Sequence, residues 1–146
     1  MGSRREGREL GLQALYQLDL RAEEDPGRTL ALFWTNFDSG GEAQEFAREL
    51  IDGVLANRER IDALIGEAVQ HWRLPRLSRV DLSLLRLATF ELMARPDIPP
   101  SVTIDEAIEI ARRFGSDDSA AFVNGVLDAI AGTLGVKVTG KAGRVE

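Results

Sequence analysis

In the stretch from Arg112 to Asp128, RRFGSDDSAAFVNGVLD, the adjacent carboxylates Asp117 and Asp118, flanked by Ser116 and Ser119, stand just before Phe122 and the Asn124-Gly125 pair. Asp117 and Asp118 invite comparison with an acid/base pair or a Mg²⁺ site. Adjacent helical residues point about 100° apart, so these two carboxylates do not converge on one atom or ion. Their simpler role is at a helix start, where Ser116 or Asp117 would cap and carboxylates favour the positive end of the dipole. Other catalytic chemistries fail on composition. His71 is the only histidine, which rules out a multi-His metal site and gives no basis for a Ser-His-Asp set. The absence of Cys excludes thiolate zinc, disulfides and a Cys nucleophile. Gly135 to Ala142 nearly spells a phosphate-binding loop, but Ala142 stands where the Mg²⁺-binding hydroxyl is needed and no apolar strand precedes it. No catalysis, cofactor or metal is expected.

Gly and Pro divide the chain into the segments that must position these residues. A first helix from Arg4 to about Glu24 carries Leu12, Leu15 and Tyr16 and ends at Asp25-Pro26-Gly27, where Pro26 can open the next helix with Asp25 as cap. Leu30, Phe33, Trp34 and Phe37 follow at helical spacing. Ser39-Gly-Gly-Glu42 fits a capping box ahead of Phe46, Leu50 and Val54. A break near Asn57 separates a segment carrying Ile61, Leu64, Ile65 and Val69, which Pro75 ends. Leu77 to Met93 is apolar on nearly every side, the pattern of a central buried helix. Pro99-Pro100 is expected to form a stiff extended connector, with Thr103-Ile-Asp-Glu106 as a second capping box and Gly115 as a C-terminal stop. Val123, Val126, Leu127, Ile130 and Leu134 then line one face. That register runs through Asn124-Gly125 without a break, so periodicity outweighs the turn signal of the dipeptide.

No segment alternates with period two between hairpin turns. The expected fold is all-α, a compact single-domain bundle of about seven helices over residues 1–134, followed by a flexible C-terminal tail over 135–146. A chain of 146 residues, 44% hydrophobic, can bury its own core as one domain. No apolar run approaches the roughly 18 residues needed to span a bilayer, and MGSRREGREL lacks a signal-peptide core. A soluble cytoplasmic protein without a membrane partner is expected. The net charge of −6 argues against nonspecific nucleic-acid binding but leaves room for a local basic patch. The lysines are Lys137 and Lys141, so the cations are nearly all Arg, suited to bidentate phosphate contacts.

From Phe114 to Asp128, FGSDDSAAFVNGVLD resembles the C-terminal signature of the NusB family of transcription antitermination factors. SRVDLSLLRLATFEL (Ser78 to Leu92) is similar to that family's central helix, and DIPPSVTIDEAIEIARRFG (Asp97 to Gly115) to the segment that follows it. RREGRELGLQALYQLD (Arg4 to Asp19) resembles its Arg-rich first helix. The resemblance extends to about residue 134. It implies a noncatalytic helical domain that binds boxA RNA together with the ribosomal protein NusE and joins other Nus factors on RNA polymerase.

The same resemblance maps an RNA contact onto Arg4, Arg5 and Arg8. Arg4 and Arg8 lie one helical turn apart with Arg5 adjacent, so the three can form one patch, although Glu6 and Glu9 weaken its field. By the same logic Arg86 is placed to reach phosphate from the central helix and Phe122 to stack on an unpaired base, with Gln13 and Asn124 as base-edge readers. Tyr16, Asp81 and Asp118 are the expected partner residues, an acidic face toward a basic ribosomal protein. Ala120-Ala121 and Pro100-Ser101 stand where the family has lysine, and Tyr-Lys, respectively. Fewer phosphate contacts predict weak RNA affinity alone and stronger dependence on the partner.

Three alternatives compete. The Gly7-x-x-x-Gly11 spacing suits either close helix packing or a homodimer that hides the RNA face. NusB-like domains also occur as accessory domains of RNA cytosine methyltransferases, which continue into a much longer catalytic domain; ending at Glu146 favours the free-standing factors. A helix-turn-helix DNA reader is disfavoured because the helix after Gly115 offers Asp, Ser, Ala and Asn to a major groove.

Overall fold

The computed structural model of the protein describes residues 2–37, 41–70 and 77–136. Among these residues the chain forms seven helices and no strand: α1 (Gly2–Leu20), α2 (Pro26–Asn36), α3 (Gly41–Ala56), α4 (Arg58–Val69), α5 (Arg79–Ala94), α6 (Pro100–Phe114) and α7 (Ser119–Leu134). The all-α bundle expected from the periodicity is the observed architecture. Ser39, His71, Trp72, Pro75 and the near-phosphate loop from Lys137 onward lie outside the described residues, as does all of the expected tail except Gly135 and Val136.

α5 is the hub. It packs against α1, α3, α4, α6 and α7, and residues Ser83 to Leu92 are all buried. This is why its sequence is apolar on nearly every side. Glycines let the neighbours come close. A Cβ on Gly7 would stand 2.9 Å from both the Ala43 carbonyl oxygen and Phe46 Cδ2 of α3, and one on Gly11 would stand 3.1 Å from Leu87 of α5. The Gly7-x-x-x-Gly11 pair therefore seats α1 within its own chain. At Gly53 an added Cβ would overlap the Phe90 ring, so α3 reaches α5 at that point only without a side chain.

Local signals set several boundaries. The Asp25 carboxylate accepts from the Arg28 N–H at 3.1 Å, with Pro26 in the first helical turn. The Ser78 hydroxyl accepts from the Asp81 N–H at 3.0 Å and starts α5. Two expected starts are corrected. Pro99-Pro100 is not an extended connector: α6 begins at Pro100, because a proline in the first turn needs no N–H partner and already has the helical φ. Thr103 consequently lies inside the helix, and Thr103 and Glu106 form no capping box. α7 begins at Ser119 rather than being capped by Ser116 or Asp117; its N-cap residue is Asp118, without a side-chain cap bond. The Ser119 hydroxyl instead accepts from the Ser116 N–H at 3.0 Å.

Candidate nucleic-acid and partner interface

Arg5, Glu9, Gln13 and Tyr16 follow one another along α1 at spacings of four, four and three residues, and so share a stripe of that helix. At its N-terminal end, Arg4 and Arg5 are exposed. Arg5 Nε and Nη2 donate to the two carboxylate oxygens of Glu106 on α6, at 2.7 and 2.8 Å. Arg4 Nη2 lies 3.8 Å from Asp97, in the α5–α6 connection. Asp97 is clamped by Arg95, whose guanidinium also donates to Glu49 at 2.6 Å.

Arg8 does not join this surface. Its side chain is 5% exposed, and its Nε and Nη2 donate at 2.8 Å to Glu91, which is 1% exposed on the central helix. The Thr103 hydroxyl adds a long 3.4 Å bond to the same carboxylate. The expectation of three arginines in one exposed patch is corrected to two above and one below, because Phe46 of α3, Glu91 of α5 and Glu106 of α6 surround Arg8. Phe46 of α3 is buried among the cations: the guanidinium carbons of Arg4, Arg8 and Arg95 lie 5.4, 5.4 and 5.5 Å from its ring centroid. Further along the stripe, Arg113 of α6 donates to Glu9 at 2.9 Å.

The ion pairs shift their own protonation. Hydrogen bonds from Arg95, reinforced by its charge and that of Arg4, hold the Asp97 carboxyl down at about 2. Glu106 is held below its ordinary value, first by the hydrogen bonds from Arg5 and then by the charges of Arg5 and Arg8. Both groups are more acidic in the fold than in the unfolded chain. Their contribution is therefore fully present above the ordinary values, 3.8 for Asp97 and 4.5 for Glu106, and is lost as the pH falls from there through the lowered ones. For Asp97 the window runs from 3.8 to about 2. Urea midpoints are expected to drop across that range, and to drop less in Asp97→Asn/Glu106→Gln. Identical pH slopes in parent and variant would show that other groups set the acid limit.

The C-terminal end of the stripe opens on an apolar groove of about 280 Å³, lined by Gln13, Tyr16, Phe33, Phe37, Val80 and Phe114 among others. The Phe37 ring stacks on Phe33 with centroids 4.5 Å apart. Phe37 and Phe114 are large exposed apolar residues at this groove. Of the expected partner residues, Tyr16 lines it. Asp118 is exposed at the start of α7, four residues beyond Phe114.

The remaining expected contacts lie elsewhere. Arg86 is buried on α5 and donates to both oxygens of Asp62, at 2.8 and 3.0 Å, with Asp19 3.8 Å away, so its phosphate role is corrected to an internal ion pair. Phe122 is 5% exposed and belongs to the core, because α4, α5 and α6 pack around α7; it offers no open face for a base. Asp81 is buried beside the start of α5 instead of facing a partner. Asn124 is half-buried, with its Oδ1 enclosed, which removes that acceptor from base reading. Glu91, Glu106, Asp97 and Phe46, which nothing in the sequence pattern assigns to the interface, hold its arginines in place. Glu91 carried a signal: a carboxylate deep in the apolar stretch from Leu87 to Met93 of the central helix must find a cation. Among the described residues no acidic, His or Cys cluster could hold a metal ion, and no helix is long and apolar enough to cross a membrane.

Comparison with known proteins agrees with this architecture. The family model described as "NusB family" matches residues 5–132. A transcription antitermination protein NusB from Geobacter sp. (strain M21) is 52% identical over 142 residues, covering 92% of this chain and 97% of the relative. The match thus spans nearly the whole length of that relative. The structure of T. maritima NusB superposes with a TM-score of 0.76 at 46% identity, covering 88% of this chain and 90% of that one. A chain from the crystal structure of antitermination factors NusB and NusE in complex with dsRNA gives a TM-score of 0.78 at 28% identity, covering 91% and 98%. The helices that build the arginine stripe and its groove are thus shared with these proteins over most of their length, and the chain belongs to the NusB family.

Proposed function

We propose that the protein is a noncatalytic transcription antitermination factor of the cytoplasm. It binds boxA-type single-stranded RNA together with the ribosomal protein NusE and joins the RNA polymerase antitermination complex with other Nus factors. One observation carries this reading: a single stripe of α1 runs from the exposed Arg5, with the exposed Arg4 beside it, to the groove at Tyr16. The arginines suit phosphate, and Gln13 between the two ends is placed to read a base edge. The groove, rimmed by exposed aromatic side chains, suits a protein. The net charge of −6 favours a basic partner. A crystal structure of NusB and NusE in complex with dsRNA supports a surface that joins a protein and an RNA in one assembly.

Anisotropy of a labelled boxA-like single strand, titrated with and without the cognate NusE at two salt concentrations, tests this. Partner-enhanced, salt-sensitive binding is expected. Arg4→Ala/Arg5→Ala should weaken it and flatten log K against log salt by about 0.7 for each phosphate that is no longer neutralised. Tyr16→Ala should remove the enhancement by NusE and leave RNA binding by the protein alone in place. Absence of RNA binding at low salt, with or without NusE, would refute the reading, and an unlabelled duplex that competes better than the single strand would refute its RNA class.

A further inference from the structure

We propose that Glu106 is an internal substitute for an RNA phosphate: it occupies Arg5 in the free protein, must be displaced before Arg5 engages RNA, and thereby sets the affinity of this surface. The inference rests on the RNA-binding reading above and adds to it a residue that limits binding.

The geometry of the Arg5–Glu106 pair supports exchange. Arg5 presents Nε and Nη2 to two carboxylate oxygens at 2.7 and 2.8 Å, the same fork that a guanidinium offers to two phosphate oxygens. A fork so engaged cannot hold both anions in that manner. The pair is also reachable, with side chains 44% and 23% exposed, so a ligand can replace Glu106 without opening the core. The neighbouring pairs differ. Arg8–Glu91 is sealed inside the fold, and Arg4–Asp97 is loose at 3.8 Å, with Asp97 already engaged by Arg95.

Release of Arg5 does not strand the carboxylate. Arg8 Nη1 lies 3.9 Å from Glu106 Oε1, so a buried positive charge stays behind it after exchange. The lowered titration of Glu106, caused by Arg5 and then Arg8, agrees with this two-sided setting. Arg8 thus acts on RNA indirectly, as the group that keeps Glu106 in place when Arg5 departs.

The test compares single-strand RNA binding by the full chain and by E106Q, which removes the charge and keeps the shape. E109Q controls for loss of a nearby negative charge, since Glu109 is exposed and pairs with Arg112. Thermal melts of each variant check that the fold is intact. E106Q is expected to bind about threefold to fivefold more tightly, the range of an exposed ion pair of good geometry. It should also steepen log K against log salt by about 0.7, because Arg5 then gains its phosphate without releasing a carboxylate. In an R5A background the gain should vanish. A gain no larger than that of E109Q, or one that persists with R5A, overturns the inference.

An RNA-free readout separates the two ideas. The Arg5 Nε–Hε NMR signal, followed during titration with inorganic tripolyphosphate, should move at lower concentration in E106Q than in the parent. Equal movement in both overturns the inference. If no variant binds RNA while this difference appears, the RNA function falls and the exchange at Arg5 stands.

Discussion

Replacing Arg8 with Ala is expected to destabilise the fold by ~3–5 kcal/mol, the cost of leaving one member of a buried ion pair without its partner. The loss would be a large part of the roughly 5–15 kcal/mol that holds a domain of this kind together. Glu91 is 1% exposed and would keep only the long bond from the Thr103 hydroxyl at 3.4 Å. The pair itself is a different matter. Arg8→Met/Glu91→Leu removes both charges and fills similar volume, and it should recover most of the loss. Urea denaturation followed by far-UV circular dichroism at neutral pH measures both. A loss below about 1 kcal/mol for Arg8→Ala would mean that water reaches Glu91 and the pair is not sealed. The result also governs how RNA binding is examined. A variant that removes Arg4, Arg5 and Arg8 together confounds RNA contact with unfolding, whereas the Met/Leu pair asks whether Arg8 touches RNA in a chain that still folds.

The depth of Arg8 marks the boundary of what the sequence can tell. Helical period fixes which residues share a face, and it put Leu12, Leu15 and Tyr16 together on the first helix and the apolar girth of α5 at the centre of the bundle. Local chemistry fixed the Asp25-Pro26 start of α2 and the break at Asn57. Neither kind of signal says what covers a face. Arg8 meets Glu91 across 83 residues and Arg5 meets Glu106 across 101, so the difference between a buried and an exposed arginine on adjacent turns is decided by α5 and α6 packing. Phe122 and Arg86 follow the same logic. Each is buried by neighbouring helices, Arg86 against Asp62 of α4 and Phe122 within the packing of α7 on α4, α5 and α6. The misplaced start of α6 has a local cause. Proline breaks a helix interior but suits its first turn, and Pro99-Pro100 is compatible with either until the packing of α6 on α7 selects one.

Phe46→Ala is expected to cost ~3–5 kcal/mol, the range for truncating a buried aromatic residue. Its ring, on α3, supports both α1 and the end of α5. It lies where a Cβ on Gly7 would stand 2.9 Å from Phe46 Cδ2, which makes it part of the α1–α3 interface, and three guanidinium groups gather around it within 5.5 Å of the centroid. Phe46→Leu separates these duties. It keeps an apolar side chain of similar bulk and should cost less than about 1.5 kcal/mol in packing. What it cannot supply is the electron-rich face, worth about 0.5–1 kcal/mol for each cation near the surface. The cations outside the core here are Arg4 and the half-buried Arg95, which in turn positions Asp97. Phe46→Leu should therefore fold with a small loss of stability while Arg4 becomes less ordered and single-strand RNA binding weakens. Unchanged RNA affinity in a folded Phe46→Leu variant would assign the ring to packing alone and leave the order of Arg4 to Asp97 and Arg95.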